Sequence, residues 1–115
     1  MKKNILLLIV LMNSISYSDW FSTVSGTANT LLDVLFINPN TGYACGNNGT
    51  ILKTTNGGNS WVNLVSGTAD FLTSLAVNPS NSNIIYAVGD NGTILRTTNG
   101  GSNWNKTNVG GLYDA

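Results

Sequence analysis

The sequence contains no histidine and no glutamate, and Arg96 is its only arginine. Histidine is the commonest general base and the commonest metal ligand in proteins, and glutamate contributes to many of the remaining acid–base pairs. The absence of both residue types excludes most arrangements of a catalytic acid and base. We therefore predict that the protein is not an enzyme and that it holds no cofactor and no metal.

Cysteine and basic side chains are also scarce. Cys45 is the only cysteine, so no disulfide can form within the chain. We interpret Cys45 as a small apolar core residue, with an intermolecular disulfide as the alternative. After residue 18, three cations (Lys53, Arg96 and Lys106) stand against five aspartates, which gives a net charge of −2. This charge leaves no basic patch for a phosphate backbone, so nucleic-acid binding is disfavoured.

The first 18 residues have the layout of a secretory signal peptide. Two lysines precede an apolar run over residues 5–12, and the small residues Ser16 and Ser18 occupy the −3 and −1 positions of a cleavage site before Asp19. The run is shorter than the about 20 residues that a membrane-spanning helix needs. We predict removal of residues 1–18 and export to a periplasm, a lumen or the cell exterior, with no membrane span in the mature chain. A short strand or helix with a coincidental basic start is the alternative.

One polar, glycine-rich segment occurs twice, as TTNGGNSW at residues 54–61 and as TTNGGSNW at residues 97–104. We call this segment the repeated phrase. The similarity extends to both sides of the phrase, and residues 19–115 as a whole form a repeat region. The repeat units cover residues 25–65 and 66–109, and a further unit starts at residues 110–115.

Each repeat unit is predicted to form four short antiparallel strands separated by turns. Asn-Pro ends the first strand, Asn-Gly separates the second from the third, and Asn-Gly-Gly separates the third from the fourth. The first three strands are predicted at residues 32–37, 43–46 and 50–55 in one unit and at 72–77, 85–89 and 93–98 in the other. The fourth strand is predicted to start at or just before Trp61 and Trp104. This pattern is typical of β-propeller blades, so we predict an all-β fold with two complete four-stranded blades of a larger ring.

The repeated phrase resembles the Asp-box, or bacterial neuraminidase repeat, with the pattern Ser/Thr-x-Asp-x-Gly-x-Thr-Trp. The matching residues are Thr54, Asn56, Gly58, Ser60 and Trp61 in the first unit and Thr97, Asn99, Gly101 and Trp104 in the second. In the second unit Asn103 stands in the hydroxyl position. The whole repeat, with SGT before an apolar strand and YA-x-G-x-NGTIL before the phrase, resembles the photosystem II stability/assembly factor family of propellers. This second resemblance covers nearly all of the chain after residue 18.

The resemblance implies that the box is a structural turn, with its tryptophan packed under the hairpin. Asn56 and Asn99 replace the usual aspartate, and each still offers an acceptor oxygen to backbone N–H groups. Ligand binding by the box is the alternative. Lys53 and Arg96 take the same place in the third strands, where they are either solvated strand ends or residues that face an acidic partner.

The resemblance also implies a non-enzymatic scaffold that binds protein, with a membrane protein complex of photosynthesis as the partner. A secreted or cell-surface repeat protein that binds glycan or matrix is the alternative. A sialidase-like hydrolase is disfavoured, because such enzymes use several arginines and a glutamate. Trp20 starts a fourth strand before any complete unit, and two blades do not close a ring. We therefore expect the N-terminal part of a longer propeller, with self-association through open blade edges as the alternative.

Overall fold

The computed structural model describes residues 5–11 and 18–108, which form an all-β structure. Its strands are β1 (Ile5–Leu11), β2 (Ser18–Val24), β3 (Leu31–Phe36), β4 (Gly42–Gly46), β5 (Ile51–Thr54), β6 (Val62–Leu64), β7 (Leu72–Asn78), β8 (Asn81–Gly89), β9 (Thr93–Thr97) and β10 (Asn105–Asn108). Within these ranges the only helical segments are two short 3₁₀ turns. None of the described residues belongs to a helix of the length and apolarity needed to cross a bilayer.

The strands form two four-stranded antiparallel sheets that repeat the same plan. Strands β3 to β6 make one sheet and strands β7 to β10 make the other, with each strand hydrogen-bonded to its neighbours in sequence. We call these sheets blade 1 and blade 2. The register is also repeated, since Tyr43 lies opposite Lys53 in blade 1 and Tyr86 lies opposite Arg96 in blade 2. The predicted all-β fold of four-stranded antiparallel units is confirmed.

Most strand boundaries lie within one residue of the prediction, and the start of β8 does not. The fourth strands begin one residue after Trp61 and Trp104, because the Asn-Gly-Gly turn and its side-chain hydrogen bonds extend as far as the residue before each tryptophan. Strand β8 begins at Asn81, four residues earlier than predicted. Val77 pairs with Ile85 and Asn78 pairs with Asn81, so the intervening residues form a bulge at the start of the strand.

The N-terminal segment pairs with the start of the repeat region. Strand β1 runs antiparallel to β2, with Ile5 opposite Val24 and Leu11 opposite Ser18. The pairing of β1 with β2 does not test whether residues 1–18 are removed as a signal peptide. Removal of the segment therefore stays a prediction. The further unit predicted at residues 110–115 lies outside the described residues.

The turns between the second and third strands have the backbone predicted for Asn-Gly. Asn48 has φ 57° and Gly49 has φ 64°, and Asn91 and Gly92 repeat these values at 61° and 68°. Two successive residues with positive φ are the mark of a type I′ hairpin turn, in which asparagine and glycine carry the smallest steric cost. The Thr50 amide closes the first turn on the carbonyl of Asn47 at 3.1 Å.

The core lies between the two blades. Its fully buried side chains come from both sheets and are packed by partly buried Leu64, Leu75 and Trp104. They are Cys45, Ile51, Leu72, Ala87 and Leu95. A sheet buries one face against its neighbour, and here each blade supplies the cover for the other.

Cys45 occupies this core as a small apolar residue, as predicted. It has no exposed surface, and its thiol donates to the carbonyl of Leu72 in blade 2 at 3.4 Å. Burial, with the nearby carboxylate of Asp33, raises the pKa of the Cys45 thiol to about 12. A neutral, enclosed thiol of this kind disfavours the intermolecular disulfide.

Candidate functional site

The first copy of the repeated phrase folds into a self-contained hydrogen-bonded turn. The Thr54 hydroxyl accepts from the backbone amides of Asn56 at 3.3 Å and Gly58 at 2.9 Å. It donates in turn to the side-chain oxygen of Asn56 at 2.9 Å. That oxygen also accepts from the backbone amide of Ser60 at 3.0 Å. One threonine and one asparagine thus pair three amides of a turn whose glycines adopt positive φ.

Asparagine in the aspartate position adds a bond that a carboxylate could not make. The side-chain NH₂ of Asn56 donates to the hydroxyl of Ser60 at 2.8 Å. A carboxylate accepts only, so it would need the serine hydroxyl to turn and donate instead. A neutral amide accepts weaker hydrogen bonds from the turn amides than a charged carboxylate would. The second hydrogen bond, from the Asn56 NH₂ group to Ser60, offsets part of this difference.

The second copy repeats this geometry and explains its departure from the pattern. Thr97 accepts from Gly101 at 2.9 Å, and the side-chain oxygen of Asn99 accepts from the Asn103 amide at 3.0 Å. The NH₂ group of Asn99 then donates to the side-chain oxygen of Asn103 at 3.0 Å. Asn103 can replace the hydroxyl residue because the position only has to accept a hydrogen bond from an asparagine.

The two tryptophans that end the phrases pack beside the turns. Trp61 meets Phe36 edge to face, with ring centroids 6.1 Å apart and an interplanar angle of 83°. Trp104 packs against the core between the blades and lies 3.7 Å from the position of a Cβ on Gly101. Both indole N–H groups are enclosed and lack a hydrogen-bond partner in the described structure. The tryptophans therefore act as apolar packing anchors for the hairpins.

The turn of blade 2 is also held by blade 1, which the sequence did not reveal. The carbonyl oxygen of Gly100 accepts from the Lys53 ammonium at 2.9 Å and from the Tyr43 hydroxyl at 3.1 Å. The ammonium lies 5.5 Å from the centroid of the Tyr43 ring. Gly101 lies against Leu64, where a Cβ would come within 2.7 Å of that side chain. We call Tyr43 and Lys53 the inter-blade clamp.

Arg96 and Tyr86 take the same two places in blade 2, and there they remain accessible. Arg96 is exposed, its Nε lies 3.4 Å from the Tyr86 hydroxyl, and its guanidinium lies 6.0 Å from the ring centroid. The structure thus gives Lys53 a partner within the chain and leaves Arg96 on the surface. A role for either residue in facing a partner protein stays a prediction.

Asp70 joins the entrance of blade 2 to its hairpin turn. Its carboxylate accepts from Asn91 at 2.9 Å, from Thr68 at 3.1 Å and from the hydroxyl of Thr93, and the ammonium of Lys106 lies 3.6 Å away. Hydrogen bonds from Thr93, Asn91 and Thr68, with a smaller contribution from Lys106, lower the pKa of Asp70 to about 2. The carboxylate is therefore a structural anion in this network.

This network makes a part of the stability depend on pH. Because the pKa of Asp70 is lower in the folded state, its contribution is complete above the ordinary value of 3.8 and is lost as the pH falls towards about 2. In the parent chain we expect the urea midpoint to fall between pH 4 and pH 2. In Asp70→Asn this fall should be smaller, because the titrating carboxylate is gone. Blade 1 carries Asn29 at the same place, so asparagine fits the position.

The exposed Thr98, which does not contact Asp70, provides a control for the effect of a substitution alone. Thr98→Val should leave the difference in urea midpoint between pH 4 and pH 2 as it is in the parent chain. Equal pH dependence in the parent and in Asp70→Asn would contradict the assignment to Asp70.

The site residues fall into two structural groups. One consists of the box residues, which the sequence pattern indicated, and the other consists of the residues that hold neighbouring segments together. The box residues lie in the turns, and their role as a structural motif stays a prediction. Tyr43 and Asp70 were missed, although Tyr43 lies in the repeated YA-x-G phrase and Asp70 directly follows the repeated SGTA phrase. Residues 90–92 form a 3₁₀ turn, and no group of three or more acidic, histidine or cysteine side chains is placed to hold a metal in the described ranges.

Comparisons with known proteins agree with this architecture. The profile of the family described as photosynthesis system II assembly factor YCF48 matches residues 12–111. Among solved structures, YCF48 bound to D1 peptide superposes with a TM-score of 0.64 and 30% sequence identity. That match covers 74% of this chain and 28% of the other. No protein in the comparison with curated sequences matches this chain.

A second solved structure shares the fold alone. An ancestral GH74 enzyme superposes with a TM-score of 0.66 at 24% identity, covering 77% of this chain and 14% of the enzyme. The chain thus spans less than a third of the length of either structure. The family profile extends over most of the repeat region and both blades, where the boxes and the clamp lie. The chain belongs to the photosynthesis system II assembly factor YCF48 family.

Proposed function

We propose that the protein is a non-enzymatic propeller module that binds a segment of a membrane protein complex during its assembly. The observation that carries this proposal is the match to YCF48 bound to D1 peptide, at 30% identity over 74% of the chain. Family membership supports it independently through residues 12–111. Fold likeness alone would not support a function, since propellers host many activities.

We propose further that the two blades belong to the N-terminal part of a larger ring. They cover 28% of the YCF48 structure they match. A closed propeller has about 4 to 8 blades, so two blades leave sheet faces and strand edges for further blades to cover. A binding surface on such a ring draws residues from several blades, and these two blades would contribute a part of it.

A hydrolase is less well supported than a binding module. The GH74 enzyme matches at 24% identity and over 14% of its length, which shows a shared fold. The chain has no glutamate and a single arginine. The box residues, which are what this chain shares with sialidases, are occupied by hydrogen bonds within their own turns. Binding of glycan or matrix remains the competing non-enzymatic hypothesis, and export of the mature chain is a part of both.

A peptide-binding measurement tests the proposal directly. The full chain would be titrated into fluorescently labelled, overlapping peptides that together span D1, and the anisotropy would be recorded. We expect one region of D1 to give saturable binding. The same peptides in scrambled order provide the control, because they keep composition and charge.

Two results would contradict the proposal. Saturable retention on a glycan array without binding of any D1 peptide would favour the glycan hypothesis. Equal binding of ordered and scrambled peptides would show that charge or composition, and not a defined segment, is bound. Export is tested separately by the mass of the protein recovered after secretion, which should correspond to a chain that begins at Asp19.

A further inference from the structure

Four asparagines of the chain are followed directly by glycine, namely Asn48 and Asn91 in the hairpin turns and Asn56 and Asn99 in the boxes. Asparagine before glycine is open to spontaneous deamidation, because glycine has no side chain to hinder attack by its own backbone nitrogen. That nitrogen bonds to the side-chain carbonyl carbon of the asparagine, and the NH₂ group leaves with the proton of the nitrogen as ammonia. Water then opens the resulting succinimide ring at either carbonyl, which gives aspartate or isoaspartate. Hydrogen bonds to either reacting group slow the reaction, since they must open first.

The box asparagines are held at both reacting groups. The side-chain oxygen of Asn56 accepts two hydrogen bonds within its own turn. The nitrogen that would attack it belongs to Gly57, and its N–H group donates to the carbonyl of Asn40 at 2.8 Å. The second box repeats this arrangement, with the Gly100 amide bonded to Asn83 at 3.0 Å. Folding therefore protects both boxes from deamidation.

The two hairpin turns share the sequence Asn-Gly-Thr-Ile-Leu and differ in what covers them. In blade 1 the Gly49 amide donates to the carbonyl of Asp70 at 2.9 Å, and Gly49 is buried under the loop that enters blade 2. In blade 2 Gly92 is half-buried, and within residues 18–108 no group outside its own turn accepts from its amide. Asn91 is exposed as well. The pair at residues 91 and 92 is thus the least restrained of the four in the described part of the chain.

We propose that Asn91 is a site of spontaneous deamidation and that its conversion loosens the loop that protects Asn48. The NH₂ group of Asn91 donates to the Asp70 carboxylate at 2.9 Å. Either product replaces this donor with a carboxylate, so two negative groups face each other where a hydrogen bond stood. The ammonium of Lys106 lies 3.6 Å from Asp70 and balances one of these charges. Isoaspartate also lengthens the backbone of the tight turn by one methylene group.

Asp70 connects the two hairpin turns, which couples their chemistry. Its carboxylate accepts from Asn91, and its backbone carbonyl accepts from Gly49. Repulsion between carboxylates at positions 70 and 91 therefore acts on the residue that holds the Gly49 amide. When the loop opens, the Gly49 nitrogen is released to attack Asn48. The first modification accelerates the second and leaves the boxes protected.

This inference goes beyond the proposed function and does not depend on it, because the reaction involves the chain and water alone. Failure of D1 peptides to bind would leave it intact. A chain that does not deamidate at Asn91 would leave the peptide measurement unaffected.

Peptide mapping by mass spectrometry tests the proposal with a reference built into the chain. The full chain would be incubated in mildly alkaline buffer, with and without concentrated urea, and the converted fraction at each of the four asparagines followed over time. Unfolding in urea gives the intrinsic rate of each pair. Because Asn48 and Asn91 share the five-residue sequence that starts at each of them, their rates in urea should be nearly equal.

In the folded chain we expect Asn91 to convert at least about fivefold faster than Asn48, which is the ratio that one hydrogen bond of ordinary strength provides. The box asparagines should be slowest. In Asn91→Asp, which carries the charge of the product from the start, conversion at Asn48 should rise at least about fivefold. Asn99→Asp is the matched control, since it adds the same charge to blade 2 at a side chain that bonds to Asn103, and it should leave the rate at Asn48 unchanged.

Three outcomes would overturn the proposal. Equal conversion of Asn48 and Asn91 in the folded chain would show that the cover over Gly49 gives no protection. An unchanged rate at Asn48 in Asn91→Asp, or an equal rise in Asn99→Asp, would remove the coupling through Asp70. Fragmentation of the intact parent chain tests the order of events without any substitution: molecules converted at Asn48 should already be converted at Asn91, and independent conversion of the two sites would contradict the coupling.

Discussion

Replacing Gly49 by alanine is expected to destabilise the fold by about 2–5 kcal/mol. Gly49 has φ 64°, a conformation that costs a non-glycine residue about 1–2 kcal/mol. An added Cβ would also lie 1.8 Å from the carbonyl oxygen of Thr68, which belongs to the loop entering blade 2. The backbone must move to relieve that overlap, at a further cost of about 1–3 kcal/mol. The shift would stretch the 2.9 Å bond from the Gly49 amide to the Asp70 carbonyl.

Gly67→Ala is the matched control for this prediction. Gly67 lies beside Thr68, has φ 84°, and has open space where a Cβ would stand. It should show the conformational penalty alone, about 1–2 kcal/mol. Urea unfolding followed by tryptophan fluorescence measures both variants. Equal losses at the two glycines would mean that the close approach of the blades at Gly49 contributes nothing.

Leu95→Ala is expected to cost about 2–5 kcal/mol, the usual range for a leucine removed from a well-packed core. Leu95 lies on β9, has no exposed surface, and belongs to the cluster that joins the two blades. Because the cavity would open between the blades, both should lose stability. Leu32→Ala, at a leucine that is 45% exposed on blade 1, should cost much less.

Hydrogen exchange distinguishes a shared core from two separate ones. In Leu95→Ala, we expect the amides of β4 and β5 in blade 1 to lose protection together with those of β8 and β9 in blade 2. Loss confined to blade 2 would show that the blades unfold independently, which would contradict the inter-blade core.

Local structure could be predicted from the sequence because it follows from local chemistry. Asn48-Gly49 and Asn91-Gly92 have few alternatives to a turn with positive φ, and the flanking apolar runs then become antiparallel strands. The threonine and asparagine of each box accept from amides of their own turn, which is also a local contact. The bulge at the start of β8 was missed, because extra residues in one repeat fit a loop or a bulge equally well.

Contacts between the blades could not be predicted in the same way. Aligning the repeats shows which residues take the same place, such as Lys53 and Arg96, but it does not show what each one faces. Lys53 binds Gly100, 47 residues away, because blade 2 packs over it, and Arg96 is exposed.

We propose that the repeated phrase is a structural turn and not a ligand site, and a double substitution of its buried threonines tests this role most directly. Thr54→Val with Thr97→Val removes the two hydroxyls that each accept two turn amides and that are 1% exposed. The urea midpoint of this double variant should be compared with that of Thr55→Val with Thr98→Val, at the exposed neighbouring threonines. We predict a loss of about 1–3 kcal/mol per site for the first pair, because buried amides lose their partners, and almost none for the second. An unchanged midpoint for the first pair would contradict the structural role of the phrase.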